Sequence, residues 1–321
     1  MKTENKQTVL ILGGAGFIGS NLAERFLNAD YHVIVVDGLL EQTGGARKNL
    51  DSIISHIQFF DSKIEDIGNL SDLIAQSDII VDSMAWMPHL LAINDPRYDL
   101  SINVESHLHL IEHLTENSEK KIIYLASRSQ YGNPNVEKIY EDTPMDPVDI
   151  HGIHKLTSES YYKVYSRVKG INVISLRIPN CFGENQLVKG EDLGLVGNFI
   201  KDIMNDRDLE IYGANRRRSL VYVRDLADVV LSVSRKEYEG FMVFNIGGHE
   251  IMVEDLVKIL IEIIGKGKYR ISEPPNEIKT IDMGSKRFVD EKIKRYIDDF
   301  SLTDLSVSLE NTVKYFVYSL N

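Results

Sequence analysis

The sequence predicts an α/β fold class built on a doubly wound parallel sheet, with a smaller lobe interleaved toward the C-terminus. Short runs rich in β-branched residues alternate with longer amphipathic stretches through residues 1–180, which is the pattern of alternating strands and helices. The runs are apolar throughout, as expected of parallel strands covered by helices on both faces. A glycine-rich segment joins the first run to the first amphipathic stretch, where doubly wound sheets carry a tight turn.

The elements follow one another in a regular order. Six strands are predicted, with the sequences TVLIL, HVIVV, IQFF, DIIVD, KIIYLA and NVISLR. Helices are predicted between them near residues 17–28, 67–76, 95–117 and 152–169. The pattern then loosens into glycine-rich loops around 183–197, a helix near 196–205, the runs LEIYG, SLVYV and FMVFNIGG, and helices near 253–265 and 302–320. We therefore expect residues 1–178 to form the first domain, with returns to its sheet near 221–247, and residues 179–321 to form mainly the second lobe.

Composition and charge limit the functions that the chain can have. Of 321 residues, 43% are hydrophobic and 26% are charged, which is ordinary for a globular protein. The net charge of −12 opposes nonspecific binding to nucleic acids or anionic membranes, since both require a positive field. Cys181 is the only cysteine, and neither an apolar targeting segment nor a run of the ~20 apolar residues of a membrane span is present. We expect a cytoplasmic protein with neither nucleic acid nor membrane as a partner.

The glycine-rich segment after the first strand has the spacing of a dinucleotide-binding turn. Gly14, Gly16 and Gly19 fit the pattern G-x-G-x-x-G between a strand and a helix, and Gly13 precedes them. Such glycines let the backbone approach a pyrophosphate, which then lies at the helix N-terminus. The second strand run leads into Asp37, 18 residues beyond Gly19, where a carboxylate binds the adenosine ribose and repels the 2′-phosphate of NADP. The segment predicts a Rossmann site for NAD, with a turn that only packs helix on strand as the alternative.

Eight segments in chain order resemble those of one family. They read GGAGFIG, VVDGL, INVESHLHLIE, LASRSQYG, HGIHKL, LRIPNCFGENQ, RRRSLVYVRDLADVV and FNIGG. Together they resemble the extended short-chain dehydrogenase/reductase family, in its NAD-dependent epimerase/dehydratase branch that acts on nucleotide sugars. The resemblance runs over nearly the whole chain. It implies a Rossmann domain, a substrate-binding lobe, NAD as the cofactor, a nucleotide-diphosphate sugar as the substrate, and no metal.

The resemblance also implies roles for individual positions. Ser127 would hydrogen-bond the reacting sugar hydroxyl, and Lys155 would hold the nicotinamide ribose and lower the pKa of the acid/base. Asn180 would contact the substrate, and Arg218 would bind the nucleotide pyrophosphate, for which a guanidinium fork is suited. Cys181 is expected to pack beside the site. The implied cofactor-binding positions are Gly13, Gly16, Phe17, Ile18, Gly19, Asp37, Ile64, Ala85, Asn103 and Lys155.

Three segments depart from the family pattern. The family's HLAA after the fourth strand reads DSMAW here, and the acid expected before Ile64 to bind adenine is Lys63. Members that remove water carry an Asp-Glu pair directly after the serine, whereas this chain has Arg128 and Ser129. Decarboxylases of the family usually keep a glutamate at the position of Ser129. These departures disfavour 4,6-dehydration and decarboxylation, and they leave the adenine contacts open.

The family's catalytic tyrosine, four residues before the lysine, is replaced by His151 in the segment PVDIHGIHKL. A spacing of four places His151 and Lys155 on the same helix face. A neutral imidazole, with a reference pKa of about 6.5, accepts a proton at neutral pH without the large shift that a phenol of about 10 needs. Three interpretations stay open. His151 is the acid/base, directly or through a water; another residue such as Ser127 or His154 transfers the proton; or the protein binds its ligands without catalysis.

The remaining positions favour epimerisation. Epimerisation at carbon 4 needs only hydride removal, turning of the ketone and hydride return, with one acid/base. We therefore predict an NAD-dependent nucleotide-sugar epimerase. A 4-keto reductase or dehydratase is the first alternative, and a non-catalytic binding protein is the second. The helices near 95–117 and 152–169 correspond to those that pair in dimeric relatives, so we expect a homodimer, with packing of the tyrosines of 152–169 into the core as the other interpretation.

Overall fold

The computed structural model describes residues 6–116, 119–189, 193–213, 215–282, 284–298 and 300–320. Its strands are β1 (Thr8–Leu12), β2 (His32–Asp37), β3 (Gln58–Asp61), β4 (Ile79–Asp82), β5 (Lys121–Ser127), β6 (Lys138–Ile139), β7 (Asn172–Ile178), β8 (Asn180–Phe182), β9 (Leu209–Tyr212), β10 (Arg217–Tyr222), β11 (Phe241–Asn245), β12 (His249–Met252), β13 (Tyr269–Ser272) and β14 (Arg287–Phe288). Its helices are α1 (Phe17–Asn28), α2 (Leu70–Gln76), α3 (His89–Asn94), α4 (Pro96–Leu100), α5 (Ser106–His113), α6 (Ile150–Lys169), α7 (Gly194–Met204), α8 (Val223–Ser234), α9 (Val253–Ile264), α10 (Asn276–Ile281), α11 (Glu291–Tyr296) and α12 (Leu305–Leu320).

Seven parallel strands form the central sheet, in the order β11-β7-β5-β4-β1-β2-β3. The order reverses between β1 and β4, which opens a crevice beyond the carboxyl ends of the strands, where ligands of doubly wound folds bind. Leu12 at the end of β1 pairs with Asp82 at the end of β4, so the loops after these two strands start side by side. The predicted fold class is therefore confirmed.

A smaller lobe is interleaved with this sheet. β8, β10 and β12 form a three-stranded sheet, and β9 pairs with β13. Their apolar residues pack with α7, α9 and α12 in a separate core that includes Ile200, Leu256 and Phe316. The chain returns to the central sheet at β11, and α8 packs on α1 in the main core. The chain thus leaves the first domain for the second lobe, returns to the central sheet, and then completes the second lobe.

Two helical regions differ from the sequence prediction. The predicted helix near 95–117 begins where expected, since Asp95 caps α4 through a hydrogen bond of 3.0 Å from the Tyr98 N–H, but it is not regular throughout and ends earlier, at His113. A π-helical turn at Ser101–Glu105 then leads into α5. The helix α8 was not predicted, because nine of its twelve residues are buried and its polar face is a narrow stripe of Arg224, Asp228 and Ser232.

The described residues also bear on membranes and metals. None of the helices among them is long and apolar enough to cross a membrane. Within the same residues, no three His, Cys, Asp or Glu side chains are grouped to hold a metal ion. The predicted loop around 183–197 includes residues 190–192, and the predicted helix near 95–117 includes residue 117; these positions lie outside the described residues.

Candidate active site

The turn between β1 and α1 forms a backbone cradle at the carboxyl edge of the sheet. Gly13 has a φ of +70°, a left-handed conformation that glycine adopts without strain. A side chain on Gly19 would place its Cβ 2.2 Å from the Gly13 carbonyl oxygen, so turn and helix touch backbone to backbone. In α1, all of whose residues are described, the first turn has neither a side-chain cap nor an acidic residue. Its N–H groups therefore suit a pyrophosphate.

Asp37 ends β2 beside this turn. Its Oδ2 accepts a hydrogen bond of 2.9 Å from the Ala15 N–H, and its Oδ1 accepts one of 2.8 Å from the Leu39 N–H. Burial raises the pKa of Asp37 and the nearby Asp61 acts in the same direction, while the backbone donors oppose both. Because each carboxylate oxygen has more than one acceptor position, the fixed carboxylate can still bind ribose hydroxyls.

A cleft covers the turn and the ends of the neighbouring strands. Asn103 does not line it. Its Oδ1 accepts from the Trp86 N–H at 3.1 Å and its Nδ2 donates to the Trp86 carbonyl at 2.8 Å, so Asn103 fixes the loop after β4. Sequence reasoning noticed Lys63 only as a departure and missed lining residues such as Thr43 and Ser62 from the loops after β2 and β3. Eight of the ten predicted cofactor-binding residues line the cleft, namely Gly13, Gly16, Phe17, Ile18, Gly19, Asp37, Ile64 and Ala85.

Lys155, the tenth predicted cofactor-binding residue, is 2% exposed on α6. Its Nζ lies 4.3 Å from the centroid of the Tyr124 ring and makes no hydrogen bond to any described residue. Burial lowers the pKa of Lys155 to about 8, although Asp82 favours the charged form. A buried donor without an acceptor costs free energy, so this ammonium requires a ligand oxygen such as a ribose hydroxyl. The glycine cradle, Asp37 and Lys155 together fit NAD.

The departure at DSMAW places a carboxylate, Asp82, in the core near Lys155. Its Oδ2 accepts from the Tyr162 hydroxyl at 2.5 Å and lies 2.6 Å from Nδ1 of His107. Burial alone would raise the pKa of Asp82, but His107, Tyr162 and Lys155 together hold it below its ordinary value. Asp82 is therefore a buried anion that balances part of the charge of Lys155.

His151 occupies the first turn of α6 and is 3% exposed. Its Nδ1 lies 3.0 Å from the Trp86 carbonyl oxygen. A carbonyl only accepts, so in the neutral ring the hydrogen is on Nδ1 and Nε2 carries the basic lone pair. Burial lowers the pKa of His151 well below its ordinary 6.5, and His89 and Lys155 act in the same direction. His151 is thus a neutral base at neutral pH, held in one tautomer.

Two other titratable side chains, those of His154 and Tyr131, are engaged in structural contacts. His154 pairs through Nδ1 with Oδ1 of Asp99 at 2.6 Å. The hydroxyl of Tyr131, in the segment SRSQYG, donates to Oδ1 of Asn245 at 2.6 Å and accepts from Arg177 at 2.5 Å. Tyr131 is completely buried, and this burial raises its pKa to about 12. His154 and Tyr131 are thus both held by protein partners and neither is placed as a general base, which favours His151 in that role.

Ser127 ends β5, and a 3₁₀ turn at Arg128–Tyr131 follows it. The Oγ of Ser127 accepts from the Ser129 N–H at 3.2 Å and from the Ser129 hydroxyl at 2.8 Å. Arg128 donates from Nη2 to Oδ1 of Asn180 at 2.9 Å. The structure therefore joins Asn180 to the turn after Ser127 through Arg128, a contact that sequence reasoning missed.

Arg218 lines a second cleft between α7, β9 and β10. Its guanidinium donates to Oδ1 of Asp282 at 2.9 Å and to the Gly284 carbonyl at 3.1 Å, and Arg216 pairs with the same carboxylate. Burial lowers the pKa of Arg218, as does Arg216, while Asp282 opposes both. Two guanidinium groups share one carboxylate, so this cluster carries a net positive charge suited to a diphosphate.

Known proteins resemble this chain in sequence and in fold. A sequence model of the NAD dependent epimerase/dehydratase family matches residues 9–247. A Methanocaldococcus jannaschii protein named "Putative UDP-glucose 4-epimerase" is 30% identical over 84% of this chain and 86% of its own length. The UDP-glucose 4-epimerase of Thermotoga maritima, solved with UDP-glucose, has a TM-score of 0.86 at 28% identity and covers 98% of this chain and 100% of its own. The UDP-glucuronic acid 4-epimerase of Bacillus cereus, solved with UDP-glucuronic acid and NAD, has the same fold, with a TM-score of 0.86 at 23% identity over 98% of this chain and 100% of its own.

These similarities agree with the geometry of the site. The family is NAD-dependent by its description, and the cradle, Asp37 and Lys155 fit that cofactor. The predictions of an NAD-dependent enzyme and of nucleotide-sugar epimerase chemistry are confirmed at the level of the family. The chain belongs to the NAD-dependent epimerase/dehydratase family.

Proposed function

We propose that this protein is a 4-epimerase of UDP-sugars in which a histidine replaces the family's tyrosine as the acid/base. The observation that carries the proposal is the pair formed by His151 and Lys155 on α6: a buried neutral base followed, four residues later, by a buried ammonium that lacks a hydrogen-bond acceptor among the described residues. The relatives' names supply the UDP nucleotide and the 4-position.

Each side chain has a definite task in this reaction. NAD, when bound, supplies the group that takes hydride from the sugar carbon and returns it to the opposite face. Ser127 hydrogen-bonds the 4-hydroxyl, and His151 accepts the hydroxyl proton at Nε2 and later gives it back. Lys155 binds the ribose hydroxyls and, through its charge, favours loss of that proton. Arg218 and Arg216 bind the diphosphate.

The residues after Ser127 support epimerisation over elimination of water. A dehydratase needs carboxyl groups beside the serine for the second proton transfer, and Arg128 and Ser129 supply none. The carboxylate of Asp37 supports NAD over NADP and so disfavours the reductase alternative, since reductases of the family more often use NADPH.

The decisive experiment uses the purified protein with its cofactor. The native protein is incubated with pairs of UDP-sugars that differ at carbon 4, and the products are followed by NMR, while denatured protein is assayed for released NAD. We expect NAD and conversion within at least one pair. Binding of a UDP-sugar without conversion of any pair would overturn the proposal and support a non-catalytic binding protein.

We also propose a cytoplasmic homodimer that forms through α6. Three apolar side chains on this helix, Ile153, Val164 and Val168, are 43%, 51% and 71% exposed. They flank a groove lined by Leu156, Tyr161 and Tyr165, which a second copy of the helix would fill. The domain division at residue 178 is likewise a proposal, supported by the separate core of the second lobe.

A further inference from the structure

We propose that Arg128 recognises a carboxylate on the sugar, so that the preferred substrates are UDP-uronic acids, in which carbon 6 is a carboxylate. This inference rests on the proposed function and specifies its substrate class. It concerns a residue that stands in the chain directly after Ser127, at the position where members of the family that remove water carry an acid. A change from an acidic to a basic group at this position reverses the charge that it offers to a ligand.

The backbone at Arg128 is held in place from both sides. The Oγ of Ser127 accepts from the Ser129 N–H, and the side chain of Gln130 accepts from the Ser127 N–H at 3.0 Å. Such a reciprocal pair is a capping box, which fixes the start of the turn. Arg128 therefore leaves the end of β5 in a defined direction, next to the serine that orients the reacting hydroxyl.

The guanidinium of Arg128 contacts the side-chain amide of Asn180, whose nitrogen is a further donor. Its Nη2 donates to Oδ1 of Asn180 at 2.9 Å. A guanidinium only donates, so this contact identifies Oδ1 as the oxygen of the amide and leaves Nδ2 of Asn180 as a donor. That nitrogen is buried and has no acceptor among the described residues. The two side chains thus present N–H groups at one point, where a ligand with several acceptor positions would satisfy both.

The electrostatic surroundings of Arg128 favour an anion. Burial lowers the pKa of Arg128 to about 10, and Arg218 acts in the same direction, while Asp282 and Asp149 oppose the shift. These two carboxylates are already engaged, Asp282 with arginines of the second cleft and Asp149 with the N–H of Gly152 at 2.6 Å. Within the described residues, Arg128 forms no ion pair at all, in contrast to the buried pair of Arg177 with Glu159 at 2.6 Å.

The position of Arg128 distinguishes a sugar carboxylate from the diphosphate. Arg216 and Arg218 line the cleft between α7, β9 and β10, which suits the nucleotide side of the substrate. Arg128 instead adjoins Ser127, which binds the hydroxyl on carbon 4, and carbon 5 next to it bears carbon 6. A carboxylate there can accept two parallel hydrogen bonds from a guanidinium, whereas the hydroxymethyl group of a neutral hexose brings no charge.

The test compares UDP-glucuronic acid, UDP-glucose and UDP on the protein with bound NAD. Turnover is measured by NMR and binding by calorimetry, for the wild type, Arg128→Gln and Arg128→Lys. The matched control is Arg217→Gln, which removes an exposed arginine of the neighbouring strand. We expect the wild type to prefer UDP-glucuronic acid in kcat/KM. Loss of a hydrogen-bonded charge pair should lower kcat/KM for the acid by about 10- to 100-fold in Arg128→Gln, with UDP-glucose changed less than about 3-fold.

Each outcome separates this inference from the proposed function. Arg128→Lys should retain part of the preference, because it keeps the charge but not the fork, and Arg217→Gln should behave as the wild type. Equal losses for the acid, for UDP-glucose and for UDP would assign Arg128 to the diphosphate and overturn the inference. Conversion of UDP-glucose with no advantage for the acid would also overturn it, while leaving the 4-epimerase proposal intact. Binding without conversion of either sugar would instead remove the proposed function.

Discussion

At the scale of single residues, the exchange of a phenol for an imidazole changes what the fold must supply to the base. A phenol must have its pKa lowered far from about 10 to accept a proton at neutral pH, and a nearby lysine serves that purpose. The pKa of an imidazole is already near neutrality, and here burial, His89 and Lys155 lower it further. The task of the surroundings is therefore to hold the ring in the correct tautomer, which the Trp86 carbonyl does.

A substitution of the base tests its role directly. His151→Phe keeps a ring of similar size in the buried site but removes the proton acceptor, so kcat should fall at least about 100-fold. NAD content should stay within about 2-fold, because His151 does not line the cofactor cleft. The readouts are turnover by NMR and released cofactor.

The matched control for this test is His154→Gln. His154 lies three residues along the same helix but pairs with Asp99, so we expect most of the activity to remain. Full activity of His151→Phe would remove His151 from the mechanism. Loss of activity in His154→Gln with an unchanged melting temperature would transfer the role to His154.

The pH dependence follows from the two shifted pKa values. His151 must be unprotonated to accept a proton. Because its pKa lies well below 6.5, His151 is still unprotonated at pH 6.5, and kcat/KM should decline only in more acidic solution. Lys155 loses its charge as the pH rises through about 8, so the alkaline decline should lie near that value. The measurement is kcat/KM between about pH 5 and about pH 10. An acid limb at or above pH 6.5 would contradict the assignment of His151.

Sequence motifs predict the positions of residues that are close together in the chain. They do not predict contacts between residues that only the folded structure brings together. The placement of Gly13 and Asp37 at one cleft was predictable because their spacing within a strand and a turn sets their geometry, and Lys155 lies on α6 four residues after His151, as the sequence indicates. The contact of Arg128 with Asn180 joins positions 52 residues apart, and no local pattern encodes it. Asn103, which was predicted to bind the cofactor, lies in a π-helical turn and hydrogen-bonds the backbone of Trp86.

At the scale of elements, the close approach of α6 to the turn after β5 determines how the base and the serine face each other. A Cβ on Gly152 would lie 2.6 Å from the Ser129 carbonyl oxygen, which is backbone and cannot rotate away. The helix also begins at Asp149, whose carboxylate accepts from the Gly152 N–H at 2.6 Å. Glycine at this position thus allows the helix that carries His151 to touch the turn that follows Ser127.

Gly152→Ala should therefore displace α6 by a few tenths of an ångström or more. We expect a loss of stability of about 1–3 kcal/mol and, since misplaced groups react slowly, a decrease in kcat of about 10- to 100-fold. Urea unfolding and turnover measure the two effects. The control is Gly68→Ala, where an added Cβ has no heavy atom within 4 Å and should change neither quantity. Normal stability and turnover of Gly152→Ala would show that the contact is adaptable.

Element types were predictable where an amphipathic or a β-branched pattern dominates. The prediction failed where burial leaves little of that pattern. α1, α6 and the strands of the central sheet have such patterns, and they lie within a few residues of the predicted positions. α8 is buried on most sides, so its sequence carries only a narrow polar stripe at Arg224, Asp228 and Ser232. The π-helical turn between α4 and α5 has no counterpart in the amphipathic pattern of residues 95–117, so it was not predicted.

At the scale of the whole molecule, the exposed apolar face of α6 is the surface that the proposed dimer would cover. Val164→Glu places a charge in the proposed interface, and desolvating that charge should convert a dimer into monomers of 36.5 kDa in light scattering. Val317→Glu is the control, because Val317 is 43% exposed on α12, away from this face. A wild-type protein that is already monomeric, or dissociation by both variants alike, would contradict the proposed interface.

The acceptor that fixes the tautomer of His151 cannot be removed by substituting a side chain. In many enzymes a carboxylate side chain sets the tautomer of a catalytic histidine, and one substitution of that side chain destroys the setting. Here a main-chain oxygen does it, and Asn103 hydrogen-bonds both the N–H and the carbonyl of the same residue. No codon change at position 86 can delete a carbonyl, so a substitution of Trp86 would affect His151 only through the packing of the indole, which is 2% exposed and lies edge-on against Tyr98.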